Sequence, residues 1–130
     1  MPRVTSVDHF VLTVSDIAAT VSFYRALGLT PEEFAAADGT TRTALLAPGF
    51  KINLHPAQAP FAPHAAHARP GTADVCLLTD DPLTDWQTAL AKAGIAVIEG
   101  PVPRTGARGG ITSLYLRDPD GNLVEISTYG

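Results

Sequence analysis

The chain has 130 residues, of which 45% are hydrophobic and 17% charged, and nine basic against 13 acidic residues give a formal charge of −4. This length predicts one domain, and the one cysteine excludes an intramolecular disulfide, a cysteine-rich zinc ribbon and a CxxC redox motif. There is no basic run, no apolar stretch of about 20 residues and no signal-peptide core, which argues against nucleic-acid binding, membrane insertion and secretion. We therefore expect a cytoplasmic protein.

The first half of the chain predicts one helix among strands. Residues 7–14 are apolar at nearly every position, as in a strand covered on both faces. A helix follows, capped by Ser15 or Asp16 and ended by Gly28. Two further strands are predicted at about 42–47 and 50–55. The apolar face of the helix consists of Ile17, Val21, Tyr24 and Leu27.

A break in composition separates the two halves. Residues 56–71 contain four prolines among many alanines and end in Gly71. Proline breaks helices and cannot donate to a strand ladder, so this stretch predicts a linker or a wrapped loop.

The second half repeats the plan of the first. A strand is predicted at 73–78, and a helix starts after the cap formed by Asp80 and Asp81, with Pro82 in its first turn. Further strands are predicted at 95–99, 112–117 and 123–128, the last two as a hairpin around Asp-Pro-Asp-Gly-Asn. The two halves are therefore predicted to be related modules, at about residues 5–55 and 72–130, and we expect a cleft lined by both.

Four polar residues interrupt otherwise apolar strands: His9, His55, Asp74 and Glu125. Buried carboxylates need partners, and two imidazoles with two carboxylates suit Fe, Mn, Ni or Zn. Each of these residues can also have an ordinary structural role. His9 can bond to the backbone, His55 can be solvated at a strand end, Asp74 can cap a loop, and Glu125 can pair with Arg117.

The segment 100–110 is rich in glycine and is predicted to be a loop. Arg104 and Arg108 within it can clamp a carboxylate or phosphate, or they can be solvated on a flexible surface. Cys76 shares a strand face with Asp74 and is predicted to be a buried packing thiol. Tyr115 can line a pocket or pack in the core.

Three segments together resemble a known family. The opening Asp-His-Phe-Val-Leu-Thr-Val at 8–14, the Phe-Tyr and Leu-Gly-Leu of the first helix, and the closing Arg-Asp-Pro-Asp-Gly-Asn-Leu-Val-Glu-Ile at 117–126 are similar to the vicinal oxygen chelate superfamily. This superfamily includes glyoxalase I, extradiol dioxygenases and bleomycin-resistance proteins. Segments 52–55, 70–77 and 99–107 resemble the branch of glyoxalase domain-containing protein 5.

The resemblance implies an α+β fold of two βαβββ modules, which form a curved, partly open mixed sheet around one divalent metal ion. It implies His9, His55, Asp74 and Glu125 as metal ligands, although Asp74 stands where the family usually has His or Gln. Glu125 or Asp74 is expected to act as general base. The residues expected to contact substrate are Asn53, Arg104, Arg108 and Tyr115.

The function implied is that of a metal-dependent lyase, isomerase or dioxygenase, which acts on a small oxygenated substrate chelated to the metal. The alternative is a metal-free protein that binds or sequesters a small molecule. The family also implies a homodimer.

Overall fold

The structure is a computed structural model that describes all 130 residues. The chain divides into two compact units, here called unit 1 (Met1–Pro70) and unit 2 (Gly71–Gly130). Each unit contains one helix and one four-stranded mixed sheet. This is the predicted α+β arrangement of two βαβββ modules. Neither helix is long and apolar enough to cross a membrane.

Unit 1 has the strand order β1-β4-β3-β2, with β1 parallel to β4 and the other pairs antiparallel. Helix α1 is capped by Asp16, whose side chain accepts a hydrogen bond from the Ala19 N–H, and Gly28 follows its end with φ 94°. The βαβββ plan requires three strands after the helix, whereas the sequence pattern locates only two, and the third is β2. The elements are β1 (His9–Val14), α1 (Ile17–Ala26), β2 (Thr30–Ala35), β3 (Thr41–Ala47) and β4 (Phe50–Pro56).

Unit 2 repeats this topology with the strand order β5-β8-β7-β6, and β5 is parallel to β8. Pro82 is the N-cap of α2 and not a residue of its first turn as predicted. The elements are β5 (Asp74–Leu78), α2 (Leu83–Lys92), β6 (Glu99–Gly106), β7 (Gly109–Arg117) and β8 (Leu123–Thr128).

Two predictions for unit 2 are wrong. Residues 95–98 are not a strand, and the segment 100–110 is not a loop, because it forms most of β6, a two-residue turn and the start of β7. The glycines of this segment predict a loop, and it also contains prolines at 101 and 103. However, β6 is an edge strand that pairs only with β7, and a proline on an edge costs no ladder hydrogen bond when it faces outward.

Each sheet has one face in a core and one open face. In unit 1 the core face includes Leu12, Val14 and Ile52, all at most 2% exposed, and Tyr24 of α1 is fully buried. The opposite face of β1 is exposed at His9 and Val11 but buried at Thr13, so this strand is covered on both sides only at its C-terminal end and not along its length as predicted. We call these surfaces the open face of each unit, and the candidate site residues lie on them.

Candidate functional site

One row of side chains crosses all four strands on the open face of unit 2. The strand register places Glu99 beside Tyr115, Tyr115 beside Glu125, and Glu125 beside Cys76. Side chains that face one another across strands lie about 5 Å apart. The topology therefore gathers two carboxylates, a phenol and a thiol from four strands.

Glu125 is held by two buried serines. The hydroxyl groups of Ser113 and Ser127 donate to its Oε2 at 2.6 and 3.2 Å, and the two hydroxyl oxygens lie 2.7 Å apart. Both serines are fully buried. The other carboxylate oxygen, Oε1, accepts no hydrogen bond from the protein. Glu125 thus has one oxygen fixed by the sheet and one free to receive a proton or contact a cation.

We expect Ser113→Ala to reduce the free energy of unfolding by about 1.5–3 kcal/mol, as is typical for a hydrogen bond to a charged group. In a Glu125→Ala background the same change should cost less, because the carboxylate partner is gone. Denaturant unfolding of the two single variants and the double variant measures this coupling. Ser22→Ala, on the exposed surface of α1, is the control. Equal costs of Ser113→Ala in both backgrounds would contradict the assigned bond.

Arg104 is fixed next to this row. Its Nε donates to the Tyr115 hydroxyl at 3.0 Å and its Nη2 donates to Glu99 at 3.0 Å. Arginine can only donate, so the Tyr115 oxygen acts as acceptor in this bond and its own proton points elsewhere. No protein group accepts that proton. Tyr115 therefore presents a free O–H donor beside Glu125.

A pocket of about 340 Å³ opens on this face. Glu125 provides its acidic group, and its walls are mainly apolar. Arg108 lies in the β6–β7 turn next to the pocket, where its backbone N–H donates to the Tyr129 hydroxyl at 3.0 Å and its guanidinium lies 4.5 Å above the Tyr129 ring. The pocket is lined by Cys76, Leu78, Thr105, Gly106, Ala107, Ile111, Glu125 and Tyr129.

Cys76 is exposed, so the prediction of a buried packing thiol is wrong. The face of β5 that carries Cys76 lines this pocket, because no element of unit 2 covers that face. The thiol donates to Ser127 Oγ at 3.2 Å. Desolvation against the sheet raises the pKa of the Cys76 thiol, and the negative charge of Glu125 raises it further. A thiol that stays protonated is a poor nucleophile, so we assign Cys76 no covalent step.

The strand register decides which residues of the two units occupy equivalent positions. In unit 1, His9 pairs with Lys51, Val11 with Asn53, and Thr13 with His55. In unit 2, Asp74 pairs with Leu123 and Cys76 with Glu125. When His9 and Asp74, the first residues of β1 and β5, are taken as equivalent, the residue that corresponds to Glu125 is Asn53 and not His55.

His9 and His55 are also separated on the open face. His55 lies four residues along β4 from Lys51, the residue beside His9. This offset is roughly 13 Å at about 3.3 Å per residue, which argues against both imidazoles binding the same ion. Within each unit, no group of three or more His, Cys, Asp or Glu side chains is placed to hold a metal.

His9 nevertheless has the surroundings of a metal ligand. Its Nδ1 lies 2.7 Å from the Asp8 carboxylate, and Nε2 has no protein partner. A carboxylate behind one ring nitrogen fixes the tautomer that leaves the other nitrogen free to coordinate. In unit 2, the exposed carboxylate of Asp74 forms no hydrogen bond or ion pair. These donors are of the right kind for a divalent ion.

Ser113, Ser127 and Tyr129 were not predicted from the sequence. The signal was present, because Ser113 and Tyr115 alternate with buried leucines on β7, and Glu125 and Ser127 alternate with buried residues on β8. Period-two alternation places them on one face. The partner of each serine, however, depends on cross-strand register.

Comparison with known proteins then identifies the family. A family model of the glyoxalase/bleomycin resistance protein/dioxygenase superfamily matches residues 6–126. The chain belongs to this superfamily. Among its curated relatives is virulence protein STM3117 of Salmonella typhimurium, 48% identical over 95% of this chain and 83% of the relative. Another is glyoxalase domain-containing protein RDO1 of Mycosarcoma maydis, 45% identical over 97% of this chain and 69% of the relative.

Solved structures agree with the fold. Integron cassette protein VCH_CASS1, from the mobile metagenome of V. cholerae, is 46% identical with a TM-score of 0.94, covering 100% of this chain and 99% of its own. Lactoylglutathione lyase from Agrobacterium tumefaciens is 25% identical with a TM-score of 0.70, covering 98% and 96%. The antibiotic-binding protein TnmS3 from Streptomyces sp. CB03234 is 21% identical with a TM-score of 0.75, covering 98% of both chains, and it shows the fold alone.

Proposed function

We propose that the chain is a divalent-metal-dependent enzyme that acts on a small oxygenated molecule by lyase, isomerase or dioxygenase chemistry. The observation that carries this proposal is Glu125, which has one oxygen fixed by Ser113 and Ser127 and the other free beside a pocket. Buried hydrogen bonding of this kind holds a carboxylate in one orientation, as a general base requires. The likeness to a lactoylglutathione lyase supports the same class.

The proposed metal ligands are the predicted residues His9, Asp74 and Glu125. His55 stays a predicted ligand, although the register favours a set without it. One imidazole and two carboxylates suit Fe, Mn, Ni or Zn, and such an ion supplies Lewis acidity to an oxygen of the substrate. These ligands can come from one chain or from two copies of it.

The chain's own side chains would transfer the proton and contact the substrate. Glu125 would take a proton from the substrate through its free oxygen when that oxygen is not bound to the metal, and Tyr115 would donate its unused O–H to a substrate oxygen. Arg104 acts on Tyr115 as a positioning residue, because its Nε–H fixes where the phenol proton points. Arg108 and Asn53 are the other proposed substrate contacts, and Asp74 is the alternative base.

The alternative is a metal-free protein that binds a small molecule. The observation that favours it is the mainly apolar lining of the Glu125 pocket, which is typical of sites that bind small molecules. The presence of a fixed carboxylate in that pocket favours the enzyme.

Metal analysis separates the two functions. Elemental mass spectrometry of protein purified without chelators, followed by calorimetric titration with Mn, Ni, Zn and Fe(II), should find about one ion per chain. We expect His9→Ala and Glu125→Ala each to weaken binding at least 10–100-fold, the range for disturbing a metal site. His67→Ala and Glu33→Ala, both at exposed positions, are the matched controls.

The outcome for His55 is equally informative. If the register identifies the site correctly, His55→Ala retains wild-type metal affinity. Full retention of metal by both His9→Ala and Glu125→Ala would overturn the ligand set. No uptake by the wild-type protein would replace the enzyme proposal with the binding protein.

We further propose a cytoplasmic homodimer. The single cysteine, which is exposed and unpaired, is consistent with a reducing compartment. Light scattering of the purified protein tests the dimer, and a mass of 13.6 kDa would contradict it.

A further inference from the structure

The start of the proline-rich segment packs against one end of the open face of unit 1. We call residues 57–63 the strap. It is attached to the end of β1 by the Ala57 N–H, which donates to the Val14 carbonyl oxygen at 2.9 Å. Its one aromatic side chain, Phe61, packs edge-on against the His55 ring, with 5.0 Å between the ring centres. One aromatic contact therefore connects the strap to the sheet.

The contact with Phe61 buries His55 at a cost. His55 is 7% exposed, and its Nδ1 has no hydrogen-bond partner. More than nine in ten buried polar groups in proteins are paired, and an unpaired one is unfavourable because it has given up its bond to water. When Phe61 moves away, water can reach the ring and restore that bond. The burial of His55 therefore opposes the contact that covers it, as is typical of an element that opens locally.

A second contact holds Phe61 in place. The Arg42 guanidinium lies 3.8 Å from the centre of the Phe61 ring, within the range of a cation–π interaction. Arg42 Nη2 also donates to Asp38 Oδ2 at 2.9 Å. The hydroxyl and backbone N–H of Thr40 donate to Asp38 Oδ1 at 2.6 and 3.0 Å, and these bonds lower the pKa of Asp38 to about 2. An ionised and fixed carboxylate thus positions the guanidinium over Phe61.

We propose that the strap is a gate over the His55 end of the open face of unit 1, and that Arg42 holds it closed through Phe61. The structure shows the closed form, in which His55 is withheld from solvent. In the open form Phe61 leaves the imidazole, and Nδ1 is free to bond. Because Asp38 fixes Arg42, the turn between β2 and β3 controls how often the gate opens. The two forms differ in one aromatic contact and in the hydration of one ring, which makes this element bistable.

This inference concerns access to one end of a sheet face and goes beyond the metal-dependent function. It requires neither a metal ion nor turnover, because the measured quantity is the chemical reactivity of His55. The test is made on metal-free protein in EDTA. Failure of the gate therefore leaves the metal-dependent function intact, and failure of that function leaves the gate intact.

Modification by diethylpyrocarbonate measures how often His55 is uncovered. The reagent acylates neutral, accessible imidazoles, and peptide mass spectrometry gives the rate at each histidine. At pH 8 we expect His55 of the wild-type protein to react at least about tenfold more slowly than the exposed His67. Phe61→Ala removes the cover and gives the rate of the open form, which should be at least about tenfold above the wild-type rate.

Two variants that keep Phe61 test the contact that holds the gate closed. Arg42→Met should raise the rate at His55 by about fivefold, the factor expected for loss of a cation–π interaction. Asp38→Ala should raise it by a smaller factor, because the guanidinium is still present. Loss of charge alone has the opposite effect: desolvation and then the charge of Arg42 lower the pKa of His55, so removing that charge reduces the neutral, reactive fraction. Arg25→Met, at an exposed position of α1, is the matched control.

Two results would overturn the gate. If His55 of the wild-type protein reacts as fast as His67, Phe61 does not cover it. If Phe61→Ala exposes His55 while Arg42→Met and Asp38→Ala both keep the wild-type rate, Phe61 is a fixed part of the core. Amide hydrogen exchange at Leu45, which is fully buried in β3, verifies that each variant stays folded, so that a faster reaction reports opening of the strap and not unfolding of the unit.

Discussion

Replacing Asp118 by Ala should lower the free energy of unfolding by about 3–5 kcal/mol, a cost typical of removing one partner from a buried charged network. Asp118 is 5% exposed. Its Oδ1 accepts from the backbone N–H groups of Asp120 and Asn122 at 3.0 and 2.9 Å, and its Oδ2 accepts from the Asn122 side-chain amide at 2.8 Å. Alanine leaves these donors without an acceptor, and each such buried donor costs about 1–3 kcal/mol.

The effect should extend beyond the β7–β8 turn. Asn122, itself 2% exposed, uses its Oδ1 to accept from the Ala73 N–H at 2.9 Å, immediately before β5. Asp118 thus holds the side chain that connects the turn to the start of another strand. We expect hydrogen exchange to rise at Ala73 and at the N-terminal end of β5 as well as in the turn.

Asp118→Asn is the matched control. Its Oδ1 can keep both backbone donors, whereas its amide nitrogen faces the amide nitrogen of Asn122 and one bond is lost. We expect a cost of about 1–2 kcal/mol, measured for both variants by denaturant unfolding. Equal costs for Asn and Ala would show that the backbone N–H groups contribute little.

Replacing Gly100 by Ala should cost about 3–5 kcal/mol for a different reason, which is backbone overlap. Gly100 has φ 110°, and a Cβ there would overlap the carbonyl oxygen of Ser113 and lie 3.1 Å from the Leu114 Cα. Strain at this φ contributes roughly 1–3 kcal/mol, and overpacking contributes about 1–3 kcal/mol more. The contact is backbone to backbone, so no side chain can rotate away.

Gly109→Ala separates the two contributions, since Gly109 has φ 128° in the same hairpin but no atom within 4 Å of a Cβ. It should show only the conformational strain, about 1–3 kcal/mol. Thermal and denaturant unfolding compare the two variants. Because Ser113 bonds to Glu125, we also expect Gly100→Ala to disturb the Glu125 environment and Gly109→Ala to leave it intact. If the two variants are equally stable, the proposed overlap does not exist.

The sequence was sufficient for the module plan because its signals are local. The Asp16 cap, the glycine after α1 and the Asp-Pro-Asp-Gly-Asn turn each depend on neighbouring residues, and the structure has all three. The likeness of the two halves and the family also followed from the printed residues. The family model and the two four-stranded sheets confirm both.

Predictions that depend on strand pairing were less successful. Matching His55 with Glu125 used the order of strands along the chain, whereas the parallel register pairs Val11 with Asn53 and Cys76 with Glu125. The glycines of segment 100–110 likewise suggested a loop where β6 runs, and β6 tolerates its prolines because it is an edge strand. Edge and register are properties of the assembled sheet, so local sequence patterns do not contain them.

The parallel pairing of first and last strands also constrains how each unit folds. The pairs His9–Lys51 and Asp74–Leu123 join residues 42 and 49 positions apart. Chain-closure entropy grows only with the logarithm of this span, so the two closures differ by about 0.1 kcal/mol and neither unit is favoured to close first. In each unit, β1 or β5 stays an unpaired edge until the last strand arrives. That last strand is β4, with Asn53 and His55, or β8, with Glu125, so the candidate ligand-binding groups come into place in the same step that completes the sheet.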